Sequence, residues 1–159
     1  MPKLYILCGI SGSGKSFWAN YFMHTHNDVR YVSRDEIRFS LLKDDEDYFS
    51  HEKDVFSKFA NTITQTLVDG FDCIADATHL NEVSRRKLTA YIDKFFTDYE
   101  IIYIVFRTPL KTCLMRNAER EGRAIVPSHI IRNMFNRLHE PTFVEDKRAV
   151  EIIKVGEYE

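Results

Sequence analysis

The 159-residue chain is poor in the residues that staple, stiffen or insert proteins. It has three cysteines, four prolines and one tryptophan, and its formal charge is only −2. The cysteines, Cys8, Cys73 and Cys113, are odd in number and each sits among apolar neighbours. With no Cys-x-x-Cys or Cys/His ligand spacing, neither a disulfide framework nor a zinc site is expected. Reduced, buried thiols in a cytoplasmic protein are the reading. The near-zero balance excludes a global basic field of the kind that draws proteins to nucleic acid, although Lys and Arg do cluster between Arg107 and Arg137. No apolar run approaches a membrane span. The five-residue apolar stretch at the N-terminus does not read as a signal peptide, so no membrane partner is expected.

Glycine is scarce too, with six in all, yet three of them fall within Gly9-Ile10-Ser11-Gly12-Ser13-Gly14-Lys15-Ser16. This is Gly-x-x-x-x-Gly-Lys-Ser without a gap. It follows the apolar run Leu4–Cys8 and opens a helical pattern, the context that a phosphate-binding P-loop requires. Gly9, Gly12 and Gly14 let backbone N–H groups turn inward, with Ser11 and Ser13 between them. In such a loop Lys15 can reach the β- and γ-phosphates, and the Ser16 hydroxyl can bind Mg²⁺.

The rest alternates strand and helix. Strands are expected at Lys3–Cys8, Val29–Ser33, Phe71–Asp76, Glu100–Phe106 and Val150–Val155. Helices are expected at Lys15–His26, Arg34–Leu42, His51–Val68, Asn81–Phe96, Pro109–Arg120 and Pro127–Leu138. The fold class is therefore α/β: a three-layer P-loop NTPase architecture with a parallel sheet of about five strands, in one domain over residues 1–159. Phe17, Ala19, Tyr21 and Phe22 are expected to supply the apolar surface of the first helix. Phe56, Phe59, Tyr91, Phe95 and Phe96 are expected in the core.

Three further clusters fall at strand ends or beside the phosphates. In Ser33-Arg34-Asp35-Glu36-Ile37-Arg38, Asp35 is a candidate general base for an attacking hydroxyl. Arg38, three residues on, would hold it or grip an anionic acceptor group. In Asp76-Ala77-Thr78-His79, Asp76 fits a position that orients Mg²⁺ directly or through water, and Thr78 and His79 are candidate acceptor contacts. Arg116, Arg120 and Arg123 lie in a lid at about 116–127, where an arginine would neutralise charge on the transferred phosphoryl group. The acidic run Asp44–Asp47 reads as a solvated loop.

Together the segments GISGSGKSFWA, SRDEIRFSL, CIADATHLN, MRNAEREGRAIVP and IIRNMFNRLHEPTFVED resemble the polynucleotide 5′-hydroxyl kinase family of P-loop phosphotransferases, in family order from Gly9 to Asp146. The resemblance implies transfer of the γ-phosphate of ATP to a hydroxyl, commonly the 5′-OH of DNA or RNA. It gives Lys15 and Ser16 to phosphate and Mg²⁺, Asp35 to the base and Arg38 to the phosphate beside the acceptor hydroxyl. Asp76 falls to the metal or acceptor side, Arg120 to the transferred phosphoryl and Arg116 to the nucleotide. His79 stands where the family usually has Asn, one residue is added between Arg120 and Val126, and Asp44–Lys53 matches poorly at the expected acceptor entrance. A kinase for a small hydroxylated metabolite is the alternative in the same fold. A nucleotide-dependent switch or binding module is the second, with the guanine-reading Asn-Lys-x-Asp motif absent.

Overall fold

In a computed structural model the described residues are 1–158, with the side chain of Arg123 outside them. Five strands form one sheet among these residues: β1 (Lys3–Cys8), β2 (Val29–Ser33), β3 (Asp72–Asp76), β4 (Glu100–Phe106) and β5 (Ala149–Val155). Their order is β2-β3-β1-β4-β5 and every pairing is parallel. The chain crosses over through α1 (Lys15–Thr25), α2 (Arg34–Leu41), α3 (Glu52–Val68), α4 (Glu82–Asp93), α5 (Leu110–Ala118) and α6 (Ser128–Asn136), with a 3-10 turn at Gly122–Ala124. The expected element order is present: β1, β2 and β4 have the expected bounds, and no other end is displaced by more than three residues. None of these helices is long and apolar enough to cross a membrane.

Side-chain alternation along the buried strands builds two cores. Leu4, Ile6, Cys8, Ile101, Tyr103 and Val105 face α3 and α4, meeting Phe59, Ile63, Leu67, Leu88 and Ile92. Tyr5, Leu7, Ile102, Ile104 and Phe106 face the other way, onto Ala19, Trp18 and Phe22 of α1. A third cluster, Ile10, Cys113, Val126 and Ile131, seats α5 and α6 beside the glycine-rich loop. On α1 the buried face is therefore Ala19 with Trp18 and Phe22, whereas Phe17 and Tyr21 are exposed. Position 18 shares a face with 22, and 17 with 21, so helical spacing alone admits both pairs. Phe95 is also exposed, because α4 ends at Asp93 and the chain turns before it.

The helix ends explain where polar residues go. Ser33 caps α2 by accepting from Glu36 N at 3.2 Å, which frees Asp35 from capping. Asn81 caps α4 in a reciprocal pair with Ser84. Gly70, at φ +88°, turns the chain out of α3.

Arg85 opens the basic run Arg85-Arg86-Lys87, yet its side chain is only 2% exposed and forms two bonds to Glu145, at 2.8 and 3.0 Å. A third N–H donates to the carbonyl of His79 at 2.9 Å. His79 is itself buried, with Nδ1 donating to the Leu7 carbonyl at 2.7 Å. Burial outweighs that bond and lowers the ring's pKa from 6.5 to about 4. This chain of contacts ties β1, the segment after β3, α4 and the segment before β5 together.

Glu145→Ala would leave a buried guanidinium without its carboxylate. It should cost about 3–5 kcal/mol in urea unfolding; a loss under about 1 kcal/mol would make the pair incidental. His79 gives a pH signature. Between pH 4 and 6.5 the unfolded chain binds a proton that the native ring refuses, so its contribution is complete above pH 6.5 and drains away toward pH 4. Unfolding free energies from urea titrations at pH 7.5 to 5 should fall more steeply for the wild type than for His79→Gln, by on the order of 1–3 kcal/mol across the window. Parallel curves would contradict a neutral buried ring.

Candidate active site

The loop between β1 and α1 takes the conformation its glycines permit. Gly12 and Gly14 have φ of +83° and +99°, where L side chains are strained. A Cβ on Gly12 would lie 2.7 Å from the Cys113 carbonyl oxygen, and one on Gly9 would lie 2.5 Å from Ser13 Oγ. Gly9 N donates to the Thr78 carbonyl at 3.0 Å, and the Thr108 hydroxyl donates to the Ser13 carbonyl at 2.7 Å. The loop is thus anchored to the segments that leave β3 and β4. Lys15 Nζ donates to the carbonyls of Gly9 and Ile10 at 2.9 and 2.8 Å. Burial lowers its pKa, with Asp76 and Asp35 opposing the shift.

A cavity of about 380 Å³ opens over this loop. Its floor is Ser11, Gly12, Gly14, Lys15 and Ser16. One wall is Asp35, Arg38, Asp76 and Thr78, and the lid side is Arg116 and Arg120. Eleven of the fifteen residues singled out in the sequence therefore surround one space. Gly9 and Ser13 sit beneath the loop as its support. His79 does not line the cavity: its ring points into the protein toward Leu7, because its backbone takes a left-handed turn (φ +43°). The expectation of an acceptor contact is corrected to a structural one. The side chain of Arg123 lies outside the described residues.

Around Asp35 the polar groups form a closed network. Arg38 is 6% exposed; its Nε and Nη2 donate to the two oxygens of Glu52 at 2.8 and 2.6 Å. Its Nη1 donates to Asp35 Oδ1 and, at 2.8 Å, to the Tyr48 hydroxyl. That hydroxyl donates in turn to Asp35 Oδ1 at 2.6 Å. Burial, with Asp35 adding to it, raises the Tyr48 pKa and keeps the phenol neutral as a donor. Of the five guanidinium N–H groups, four are engaged, which fixes Arg38 between Glu52, Asp35 and Tyr48. Both bonds to Asp35 land on Oδ1, and Oδ2 takes no hydrogen bond among the described residues.

On the metal side, Ser16 Oγ donates to Asp76 Oδ2 at 3.1 Å, and the Tyr31 hydroxyl also donates to that oxygen. Burial, reinforced by Asp76, raises the Tyr31 pKa. Ser16 and Asp76 are hard oxygen donors beside a phosphate-shaped loop, a partial shell of the kind Mg²⁺ completes with phosphate oxygens and water. The residues fit ATP with Mg²⁺.

At the lid, Arg116 Nη1 donates to the Gly12 carbonyl at 3.2 Å, and Arg120 Nη1 reaches the Ala124 carbonyl at 3.5 Å. Asn117 fastens the segment between them and Pro127. Its side-chain amide donates to the Val126 carbonyl at 2.6 Å and accepts from Val126 N at 2.9 Å.

Tyr31, Tyr48, Phe49, Glu52 and Asn117 are among the site residues that sequence reasoning missed. The Asn117 contact spans nine residues and the Glu52 contact fourteen. No short motif encodes either. Only the poor family match at Asp44–Lys53 marked the stretch holding Tyr48 and Glu52.

Comparison with known proteins places these features. A chain in the Pnkp1/Rnl/Hen1 RNA repair complex is 26% identical with a TM-score of 0.73, over 86% of this chain and 44% of that one. A fungal RNA kinase shares the fold at 12% identity and TM-score 0.71, over 99% of this chain and 39% of that one. A gluconokinase from Sinorhizobium meliloti 1021 shares it at 16% identity and TM-score 0.61, over 98% and 84%. This chain thus spans less than half the length of the two RNA-related proteins. The profile of the AAA domain family, AAA_33, matches residues 4–141. With its glycine-rich loop, parallel sheet and lid in that order, the chain belongs to this AAA domain family and has the fold of the P-loop kinases.

Proposed function

We propose that this protein is an ATP- and Mg²⁺-dependent kinase that moves the γ-phosphate onto a hydroxyl, the 5′-OH end of a polynucleotide being the acceptor. One observation carries the reading: a phosphate-binding loop, a carboxylate with a free oxygen and a lid arginine line the same cavity. A binding module or switch has no use for the carboxylate; a transferase does.

In this reading the loop N–H groups and the N-terminal end of α1 hold the ATP phosphates. Lys15 exchanges its two loop carbonyls for phosphate oxygens. Ser16 and Asp76 would hold Mg²⁺, which supplies Lewis-acid neutralisation of phosphate charge when bound. Asp35 Oδ2 takes the proton from the acceptor hydroxyl as its oxygen bonds to the γ-phosphorus. The bond from that phosphorus to the β–γ bridging oxygen breaks, and ADP leaves. Arg38, fixed by Glu52, keeps Asp35 aimed. Arg120 offsets the charge spread over the transferred group, and the lid excludes water that would divert the phosphoryl to hydrolysis.

The polynucleotide acceptor is supported by the 26% identity to a chain of the RNA repair complex. The near-neutral charge and the gluconokinase likeness, which concerns the fold alone, keep a small polyol as the rival acceptor. Labelled ATP offered with 5′-OH oligonucleotides and with a panel of hydroxylated metabolites tests the choice. Label should enter the oligonucleotides; label in a metabolite alone would overturn the polynucleotide reading. Asp35→Asn should bind ATP as the wild type does while transfer falls about 10²–10⁴-fold, and near-normal turnover would remove Asp35 from the base role.

A further inference from the structure

The acceptor end of the cavity carries an aromatic pair that phosphoryl transfer does not itself use. Tyr48 and Phe49 lie in the connection between α2 and α3, and both line the cavity with Asp35. Their rings meet edge to face, with centroids 4.6 Å apart and planes at 81°. Tyr48 is held on every side. Its hydroxyl bonds Asp35 and Arg38, the Arg38 guanidinium lies 4.4 Å from its ring centroid, and Phe39 packs against it at 5.9 Å. Phe49 meets Tyr48 and, at 5.7 Å from its ring centroid, the Arg38 guanidinium. It is 47% exposed, so much of its ring stays open at the cavity mouth.

Three features say what would cover that ring. The Arg38 guanidinium beside it is committed to Glu52, Asp35 and Tyr48, while Arg34 Nε on the cavity wall is buried without a partner among the described residues. The neighbouring Asp44, Asp45 and Asp47 are exposed carboxylates, so a polynucleotide end meets this rim with its uncharged terminal sugar and base rather than with its phosphates. What remains is a flat apolar face adjoining the residue that steadies Asp35. In a nucleoside the base and the 5′-hydroxyl sit on one sugar. A hydroxyl seated on Asp35 therefore brings its base to the immediate surroundings of Tyr48 and Phe49.

We infer that Phe49 is a stacking platform for the terminal nucleobase of the acceptor, positioned by Tyr48, and that it selects acceptors bearing a base on the reactive sugar. Stacking of this kind tolerates any base, since every base has a π-face. The inference rests on the kinase reading with a polynucleotide end as acceptor.

The test compares kcat/KM for a short 5′-OH oligonucleotide with that for the same oligonucleotide carrying an abasic 5′-terminal sugar. The wild type should favour the base-bearing acceptor by roughly 5–150-fold, the range of one base–aromatic stack. Phe49→Ala and the volume-conserving Phe49→Leu should bring the ratio close to one, through KM for the base-bearing oligonucleotide. Phe49→Trp should keep it. The KM for ATP, read in the same assays, reports that each variant is folded. A ratio that stays at the wild-type value in both Ala and Leu variants overturns the inference while leaving the kinase reading intact. A wild type that labels no oligonucleotide overturns the acceptor assignment, and this inference with it.

Discussion

A parallel sheet has a single edge where all its strands end in the same sense, and the candidate site hangs from that edge. With β1 between β3 and β4, the loop leaving β1 is flanked by the segments leaving its neighbours. Gly9 bonds to the Thr78 carbonyl on one side, and Thr108 bonds to the Ser13 carbonyl on the other. The left-handed turns at Gly12 and Gly14 are tolerable because no side chain is present and Cys113 backs the loop closely. A longer residue would push against α5 and with it the lid. The phosphate cradle, the carboxylates and the lid arginines are therefore one packed unit.

Charge is arranged around that unit in two clusters of different character. Ser16 and Asp76, with Tyr31, form an oxygen-rich corner suited to a hard cation. Asp35, Arg38, Glu52 and Tyr48 form a network in which the arginine's charge is spent within the protein. An Asp35 oxygen is left as the open acceptor. Lys15, with Arg116 and Arg120, supplies positive charge where ATP phosphates would lie. This division keeps net charge near zero while concentrating both signs in one cavity, so a neutral overall composition does not speak against a phosphate ligand.

Much of this was legible in the sequence, for physical reasons that differ by element. The strands announce themselves because both faces of a parallel sheet are buried, which forces near-continuous apolar runs such as Ile101–Phe106. The glycine-rich loop announces itself because only glycine occupies φ near +90° at low cost. Asp35 and Arg38 lie three apart on one helix, so their contact is local. What stayed hidden depends on contacts distant in the chain. Nothing in the Arg85-Arg86-Lys87 run says that Arg85 is buried on Glu145, sixty residues away. His79 looks like a site residue beside Asp76 and Thr78, yet a left-handed backbone turns its ring under the loop. Phe17 and Tyr21 fit a helical stripe as well as Trp18 and Phe22 do; the rotation of α1, set by how the loop enters it, decides which pair is buried.

The account's central claim is that donor and acceptor meet in one cavity and that Asp35 serves the acceptor hydroxyl without becoming a nucleophile. The stereochemistry of transfer tests this most directly. ATP made chiral at the γ-phosphorus should give a phosphorylated acceptor with inverted configuration, as a single in-line displacement requires. Retention of configuration would demand a phosphorylated protein intermediate and would contradict the account.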